Sequence, residues 1–171
     1  MNSPIKKKEI VSAAQTQISP VSNRAIAQTA EHYETMTAFV SAQMKKGVDY
    51  GVIPGTKKPT LLKPGAEKLC RLFSLRPSYE LIHYITDFEK PIFHYHFRCT
   101  LVRQGEIVGQ GDGSCNSREK KYEKQSYKIY DLTNTIVKMA QKRALVGAVL
   151  SSCGASEFFT QDIEEMAGGV K

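Results

Sequence analysis

Long apolar segments and clustered cysteines are both missing from this 171-residue sequence. No apolar run approaches the roughly 20 residues of a membrane-spanning helix. The lysines near the N-terminus are not followed by the apolar stretch of a secretory signal. The four cysteines are scattered without a Cys-x-x-Cys spacing, which disfavours a disulfide framework or a zinc ribbon. These absences predict a cytoplasmic protein with no membrane partner.

Motifs that would carry catalysis are missing as well. There is no GxxxxGK(S/T) phosphate-binding loop, so nothing indicates ATP hydrolysis, and no nucleophile stands beside an obvious base. His94 and His96 share a predicted strand face but lack an identifiable third metal ligand, which favours a surface or hydrogen-bonded pair. We therefore expect no enzyme, no cofactor and no metal. A magnesium-dependent nuclease using Asp112 or Glu106 is the catalytic alternative.

Positive charge is what the sequence has in excess. Lys and Arg number 24 against 17 Asp and Glu, a formal net charge of +7, and such an excess favours polyanionic partners such as nucleic acids. Residues 118–143 contain eight basic and three acidic residues, whereas residues 61–117 contain seven and six. The excess is therefore concentrated in one C-terminal stretch.

The chain is predicted to contain one domain with two extensions. Residues 1–20 are polar and lysine-bearing and indicate a flexible arm, residues 21–160 the domain, and residues 161–171 an acidic tail. Apolar residues spaced three and four apart predict helices over residues 22–46 and 64–74, with a loop rich in Gly, Pro and Lys between them. The first helix is either a subunit contact or packs on the protein's own sheet.

Three strands and a long helix are predicted to follow. The strands cover residues 79–88, residues 92–102 and residues 107–114. Side chains of the second strand alternate between two faces, and the predicted apolar face consists of Phe93, Tyr95, Phe97, Cys99 and Leu101. Gly105 provides the left-handed turn between the last two strands. The helix ends at Gly154. The predicted fold is α+β, with N-terminal helices, a three-stranded antiparallel meander and a long C-terminal helix packed on the sheet.

Glycine recurs at alternate positions of the third strand, at Gly109, Gly111 and Gly113. One face of this strand is therefore bare. Either another backbone approaches that face closely, or the strand is a bulged and twisted edge strand. The sequence leaves both interpretations open.

Basic and aromatic residues alternate in residues 118–130, the connector before the last helix. Phosphates need cations along a track, and proteins that bind single strands add aromatic rings for base stacking. The candidate DNA-binding residues here are Lys120, Lys121, Lys124, Tyr127 and Lys128. The alternative is a solvated helix or turn in which Glu119 and Glu123 pair with the lysines.

The last helix carries further basic residues among small and apolar neighbours. Lys142 and Arg143 are adjacent within MAQKRALVGAVL, and Lys138 lies four residues before Lys142. Phosphate binding is one reason for such charges, and helix solubility is the other.

The stretch AQKRALVGAVLSSCGAS resembles a helix of the Rad fifty-two type single-strand annealing proteins, and phage Erf-type recombination proteins have a comparable helix. The order of elements over about residues 60–158 also fits: a short helix, a three-stranded meander with the glycine-rich strand GQGDGS, a basic connector and this helix. The resemblance implies oligomeric rings or helical filaments. Single-stranded DNA would lie in a basic groove with its bases outward, ready to pair, without ATP.

The resemblance also implies site residues. Lys142 and Arg143 match the paired backbone-binding residues of the family, and Lys63 falls near another basic position. Where the family has a further basic residue, this chain has Val146. The additional contact to the DNA backbone is therefore expected from Lys138 or from the connector.

The expected function is ATP-independent binding of single-stranded DNA and annealing of complementary strands in recombination and repair. The expected partners are single-stranded DNA, its complementary strand and further copies of this chain, with an exonuclease or a single-strand-binding protein as candidates. The setting would be the cytoplasm of a bacterial or phage-infected cell. A double-stranded-RNA-binding type domain is the main alternative and would prefer A-form duplexes. In that module a tight turn joins the sheet to the last helix, whereas here residues 118–130 lie between them, which argues against it.

Overall fold

The computed structural model describes residues 22–52, 58–90, 92–123 and 130–160. The described residues divide into two compact units, one that ends at Ala42 and one that begins at Gln43. Among the described helices, none combines the length and the apolar character that a membrane crossing requires.

Helix α1 (Asn23–Gln43) lies almost wholly in the first unit. It begins where the Ser22 hydroxyl accepts a hydrogen bond of 3.2 Å from the Ala25 N–H, the capping role in which serine is common. The helix predicted over residues 22–46 is therefore confirmed to within three residues at each end.

The second unit has the predicted α+β architecture, with the long C-terminal helix packed on a three-stranded antiparallel sheet. Its elements, in chain order, are β1 (Tyr50–Gly51), β2 (Thr60–Leu61), α2 (Lys63–Leu72), β3 (Arg76–Asp87), β4 (Ile92–Arg103), β5 (Glu106–Asn116), α3 (Lys120–Glu123) and α4 (Thr133–Ser152), followed by a 3₁₀ turn (Ala155–Glu157). The strand order in the sheet is β3-β4-β5. Gln104 and Gly105 join β4 to β5 with φ of 53° and 89°, so the left-handed turn predicted at Gly105 is confirmed.

Two details of the prediction were wrong. The segment predicted as a loop before α2 contains β1 and β2, which pair antiparallel. Strand β3 begins at Arg76, three residues before the predicted start, and includes Pro77. Proline usually ends a strand, but β3 pairs with β4 alone among the described strands, and an edge strand has no need of the missing N–H on its open side.

The core lies between α4 and one face of β4 and β5. The predicted alternation of β4 is confirmed for four of its five apolar residues, because Phe93, Phe97, Cys99 and Leu101 are buried, whereas Tyr95 is only half-buried. Helix α4 meets them with a side that is mostly alanine and branched aliphatic residues. Small side chains on the helix therefore let it lie close to the sheet.

The bare face of β5 is where α4 approaches most closely. A Cβ atom added to Gly111 would lie 2.2 Å from the Ala148 backbone nitrogen, and one added to Gly113 would lie 2.2 Å from that of Ala144. Real Cβ contacts are not that short, so only glycine fits at these two positions. The close approach of a second backbone is therefore confirmed. Among the described strands β5 is also an edge strand, with a register shift between Ile107 and Gly109, so the two interpretations of this strand do not exclude each other.

Candidate nucleic-acid interface

A groove in the second unit brings together three of the basic residues selected from the sequence. Lys63, Lys138 and Lys142 line this groove of about 510 Å³ together with Tyr79. Three elements meet here: the start of α2, strand β3 and the first half of α4. The groove therefore combines cations and an aromatic ring, the two components of a single-strand binding surface.

The amines of the three lysines are accessible to a ligand. Lys138 and Lys142 lie one helical turn apart on α4, so they present their amines side by side. Lys63 forms an ion pair of 3.4 Å with Glu67, but both side chains are more than half exposed. Such surface pairs contribute little because water and salt screen them. An incoming phosphate can therefore compete for the Lys63 amine.

A buried carboxylate fixes the start of α2 and hence the position of Lys63. The Leu62 N–H donates to the Asp49 carbonyl oxygen at 2.9 Å, and the Asp49 carboxylate, which is fully buried, accepts from Lys68 Nζ at 2.6 Å. Burial by itself raises the pKa of Asp49, but hydrogen bonds from Lys68 and from the Lys45 N–H outweigh it and keep this pKa below its ordinary value. The carboxylate therefore stays charged and holds α2 in place.

Tyr79 contributes a ring and a hydroxyl donor. Its side chain lies on the α4 side of β3, opposite Cys99, and is 40% exposed. Partial burial, together with nearby groups that include Glu67, raises the pKa of Tyr79 to about 12. The hydroxyl is therefore protonated at neutral pH and can donate to a phosphate oxygen, while the ring can stack on a base.

Arg143 is directed away from this set. Its guanidinium donates to both carboxylate oxygens of Glu119 at 2.7 and 2.8 Å and also to the Ser114 carbonyl oxygen. Arg143 is not among the described residues that line the groove. Its charge is matched by a carboxylate in two-point contact, which joins α4 to the segment that follows β5.

The Glu119 carboxylate is held in its charged form by this contact. Burial raises its pKa, but hydrogen bonds from Arg143, Cys115 and Lys121 outweigh that effect and bring the pKa down to about 2. The pair is therefore ionised throughout the neutral and mildly acidic range, and phosphate binding by Arg143 stays a prediction.

The connector is described only in part. Lys120 and Lys121 lie on α3, where Lys121 pairs with Glu119 at 3.1 Å and its amine lies 4.8 Å from the centre of the Tyr122 ring. Lys124, Tyr127 and Lys128, which are also candidates from the sequence, lie outside the described residues. The pairing of Glu119 with Lys121 agrees with the alternative of a solvated helix or turn. A role of the connector in DNA binding stays a prediction.

Val146 stands at a position where the structure does not favour a basic residue. It is only 3% exposed on the core side of α4. A lysine or arginine there would bury a charge without a partner, and the loss of its hydration would destabilise the folded protein. Lys138, on the groove side, is the residue that supplies a second amine next to Lys142.

The residues of the nuclease alternative are not assembled into a site. Asp112 accepts from Arg98 at 2.8 and 2.9 Å and lies 3.4 Å from His96 Nε2, while Glu106 stands opposite Arg103 at the start of β5. Within the described ranges no group of three or more His, Cys, Asp or Glu residues is arranged to hold a metal ion. This part of the chain gives the alternative no support.

The cysteines are core residues. All four are free and buried, and burial raises the pKa of Cys99 and of Cys153 to about 12. Such thiols stay protonated at neutral pH and are poor nucleophiles. Cys153 is therefore a core thiol.

Sequence reasoning missed part of the groove. Thr135, Met139 and Gln141 line it along with the lysines, and their spacing from Lys138 and Lys142 on one helix could have identified them. Tyr79 had no such signal, because it joins the groove only through the pairing of β3 with β4.

Comparison with protein-family models and with curated proteins gives no match for this chain.

The spacing between the sheet and the last helix bears on the double-stranded-RNA-binding alternative. Residues 117–132, including α3, separate β5 from α4, so the long connector expected from the sequence is present.

Proposed function

We propose that this protein binds single-stranded DNA in the groove lined by Lys63, Lys138 and Lys142 and, without ATP, promotes the pairing of complementary strands. The observation that carries the proposal is the convergence of these three amines, from two distant parts of the chain, around the exposed ring of Tyr79. The setting we propose is the cytoplasm, where the four free thiols would stay reduced.

The mechanism depends on neutralising phosphates. Amines along the groove would replace the counterions of the DNA backbone, so binding would be independent of sequence and would weaken with salt. Contacts to the backbone leave the Watson–Crick edges free, and a neutralised strand repels its complement less. Both effects favour annealing.

We further propose that several copies of the chain act together. Strand β3 is exposed along almost its whole length and bears apolar side chains at Leu81, Ile82, Tyr84 and Ile85. A long apolar strand at a sheet edge is a ready surface for another copy. An assembly would align many short binding sites and increase avidity. Light scattering tests this part, and a monomer mass at every concentration, with and without DNA, would contradict it.

The direct experiment mixes two complementary labelled oligonucleotides with and without the protein, in low salt and without ATP. We expect faster pairing with the protein. The variant Lys138→Ala/Lys142→Ala should lose this acceleration, and its salt slope for single-strand binding should fall by about 1.4, at ~0.7 per phosphate contact.

The matched control is Lys46→Ala/Lys90→Ala, which removes the same charge from two exposed lysines that do not line the groove. It should keep nearly the wild-type slope. No acceleration by the wild type, or preferential binding of duplex RNA, would overturn the annealing proposal. An unchanged slope in Lys138→Ala/Lys142→Ala would remove the groove from the site.

A further inference from the structure

A cleft beside the second half of α2 carries a second set of cations. Arg71 and Arg76 line it, as do Gln104 and Gly105 of the β4–β5 turn. The cleft has a volume of about 670 Å³. A smaller hollow, lined by the same two arginines together with Glu67 and Pro77, lies against it.

The cleft continues the line of the groove that contains Lys63. On α2, Lys63, Glu67 and Arg71 are spaced four residues apart, so they lie on one face, and the first two side chains touch at 3.4 Å. On β3, Pro77 and Tyr79 are two residues apart and therefore point to the same side of the sheet. From Lys63 to Arg71 the helix advances only ~12 Å. The groove and the cleft therefore lie next to each other along both α2 and β3.

The two arginines of the cleft differ from Arg98 and Arg143. Those two residues donate in two-point contacts to Asp112 and Glu119. Arg71 and Arg76 are exposed, and neither forms an ion pair or a side-chain hydrogen bond with any residue in the described ranges. A guanidinium fork is well matched to a phosphate. The cleft therefore offers N–H groups that can donate hydrogen bonds to a phosphate and that are not used by other side chains in the described ranges.

We propose that the single strand bound by the Lys63, Lys138 and Lys142 groove continues past Tyr79 and Glu67 into the cleft, where Arg71 and Arg76 bind its phosphates. This inference rests on the proposed function and assigns the strand a longer path on each subunit. Glu67 is the one acidic residue among the described lining residues of the groove, the hollow and the cleft. It should weaken binding where the strand passes.

The experiment measures binding of oligonucleotides from ~4 to ~16 nucleotides, the range of common single-strand site sizes, as a function of salt. For the longest oligonucleotide, Arg71→Ala/Arg76→Ala should lower the salt slope by about 1.4, and the loss should shrink as the oligonucleotide shortens. The variant Arg71→Lys/Arg76→Lys keeps both charges and should retain most of the slope. Circular dichroism and urea unfolding verify that the variants are folded.

A second variant of opposite sign makes the test independent of damage to the fold. Glu67→Gln should tighten binding of the longest oligonucleotide about twofold, a typical effect of one exposed charge pair. The control Glu89→Gln, an exposed residue of the β3–β4 turn, should change it less. If the wild type binds single strands but the alanine pair keeps the wild-type slope at every length, the cleft is not on the path, although the groove can still be the site. If the wild type binds no single strand, the proposed function fails as well.

Discussion

The two long sides of α4 have opposite compositions, although they belong to one continuous helix. The side that faces β5 presents Ala140, Ala144 and Ala148, each fully buried, against a strand with glycine at alternate positions. The side that faces the groove presents Lys138 and Lys142. Short side chains occur where two backbones must meet, and long cationic ones where the surface is open to a ligand.

Lys142 and Arg143, which are adjacent in α4, show the same difference between the two sides of the helix. Successive residues of a helix point about 100° apart, so neighbours in sequence need not share a surface. Lys142 lines the groove, whereas Arg143 donates to Glu119 and Ser114 on the sheet side. Adjacent charges in a helix can therefore belong to different surroundings, one lining a groove and one paired within the fold.

The largest expected effect is on the side of α4 that faces β5. In Gly111→Val the new Cβ would meet the Ala148 backbone at 2.2 Å, and backbone cannot yield as the end of a flexible side chain can. We expect a loss in the free energy of unfolding at or above the upper end of the ~1–3 kcal/mol typical of overpacking, measured by urea denaturation.

The control is Gly51→Ala, because an added Cβ there meets only the Leu62 Cδ1 atom, at 3.9 Å. It should change stability by less than ~1 kcal/mol. Equal effects of the two substitutions would mean that close backbone approach does not explain the glycines of β5.

An intermediate effect is expected at Arg143, with a specific pH dependence. The pKa of Glu119 is about 2 in the folded protein against an ordinary value of 4.5, so the charged carboxylate, held by Arg143, Cys115 and Lys121 together, contributes roughly 2–3 kcal/mol above pH 4.5. Because the folded pKa is the lower one, this contribution is lost as pH falls from 4.5 through about 2. Arg143→Ala should therefore destabilise the protein at pH 7 and differ little from wild type near pH 2.

Urea denaturation at several pH values measures this difference, and Lys142→Ala is the matched control on the next residue. It should shift the free energy of unfolding by no more than ~0.5 kcal/mol at any of these pH values. A pH-independent difference between Arg143→Ala and wild type would contradict the assignment of Arg143 to the fold.

The smallest expected effect concerns Tyr79 in the groove. Tyr79→Ala removes a ring that can stack on one base, and such losses amount to ~1–3 kcal/mol of binding free energy. We expect the lower end of that range because Tyr79 is partly buried, with 40% of the residue exposed. Fluorescence titration with a single-stranded oligonucleotide measures the change.

Tyr79→Phe serves as the control, because it keeps the ring and removes only the hydroxyl. It should bind nearly as well as wild type if stacking is the main contribution. A loss as large in Tyr79→Phe as in Tyr79→Ala would assign the role to the hydroxyl donor instead.

Local patterns were sufficient to predict most of the secondary structure. The alternation in β4, the turn at Gly105 and the spacing of apolar residues in the helices all depend on neighbours within a few positions, and each is confirmed. The edge strand β3 was placed too late because Pro77 is unfavourable for a strand unless its N–H faces an open edge. That condition depends on the sheet order, which no local pattern contains.

What the sequence by itself determined is the α+β class, the concentration of positive charge in the C-terminal part and the bare face of β5. These properties follow from residue type and from periodicity along one element. Only the tertiary structure decided that α4 fills the bare face, that Lys63 joins Lys138 and Lys142, and that Arg143 pairs with Glu119. The physical reason is that each of these contacts joins distant parts of the chain, and the packing of α2 and α4 with the sheet sets which side chains can meet.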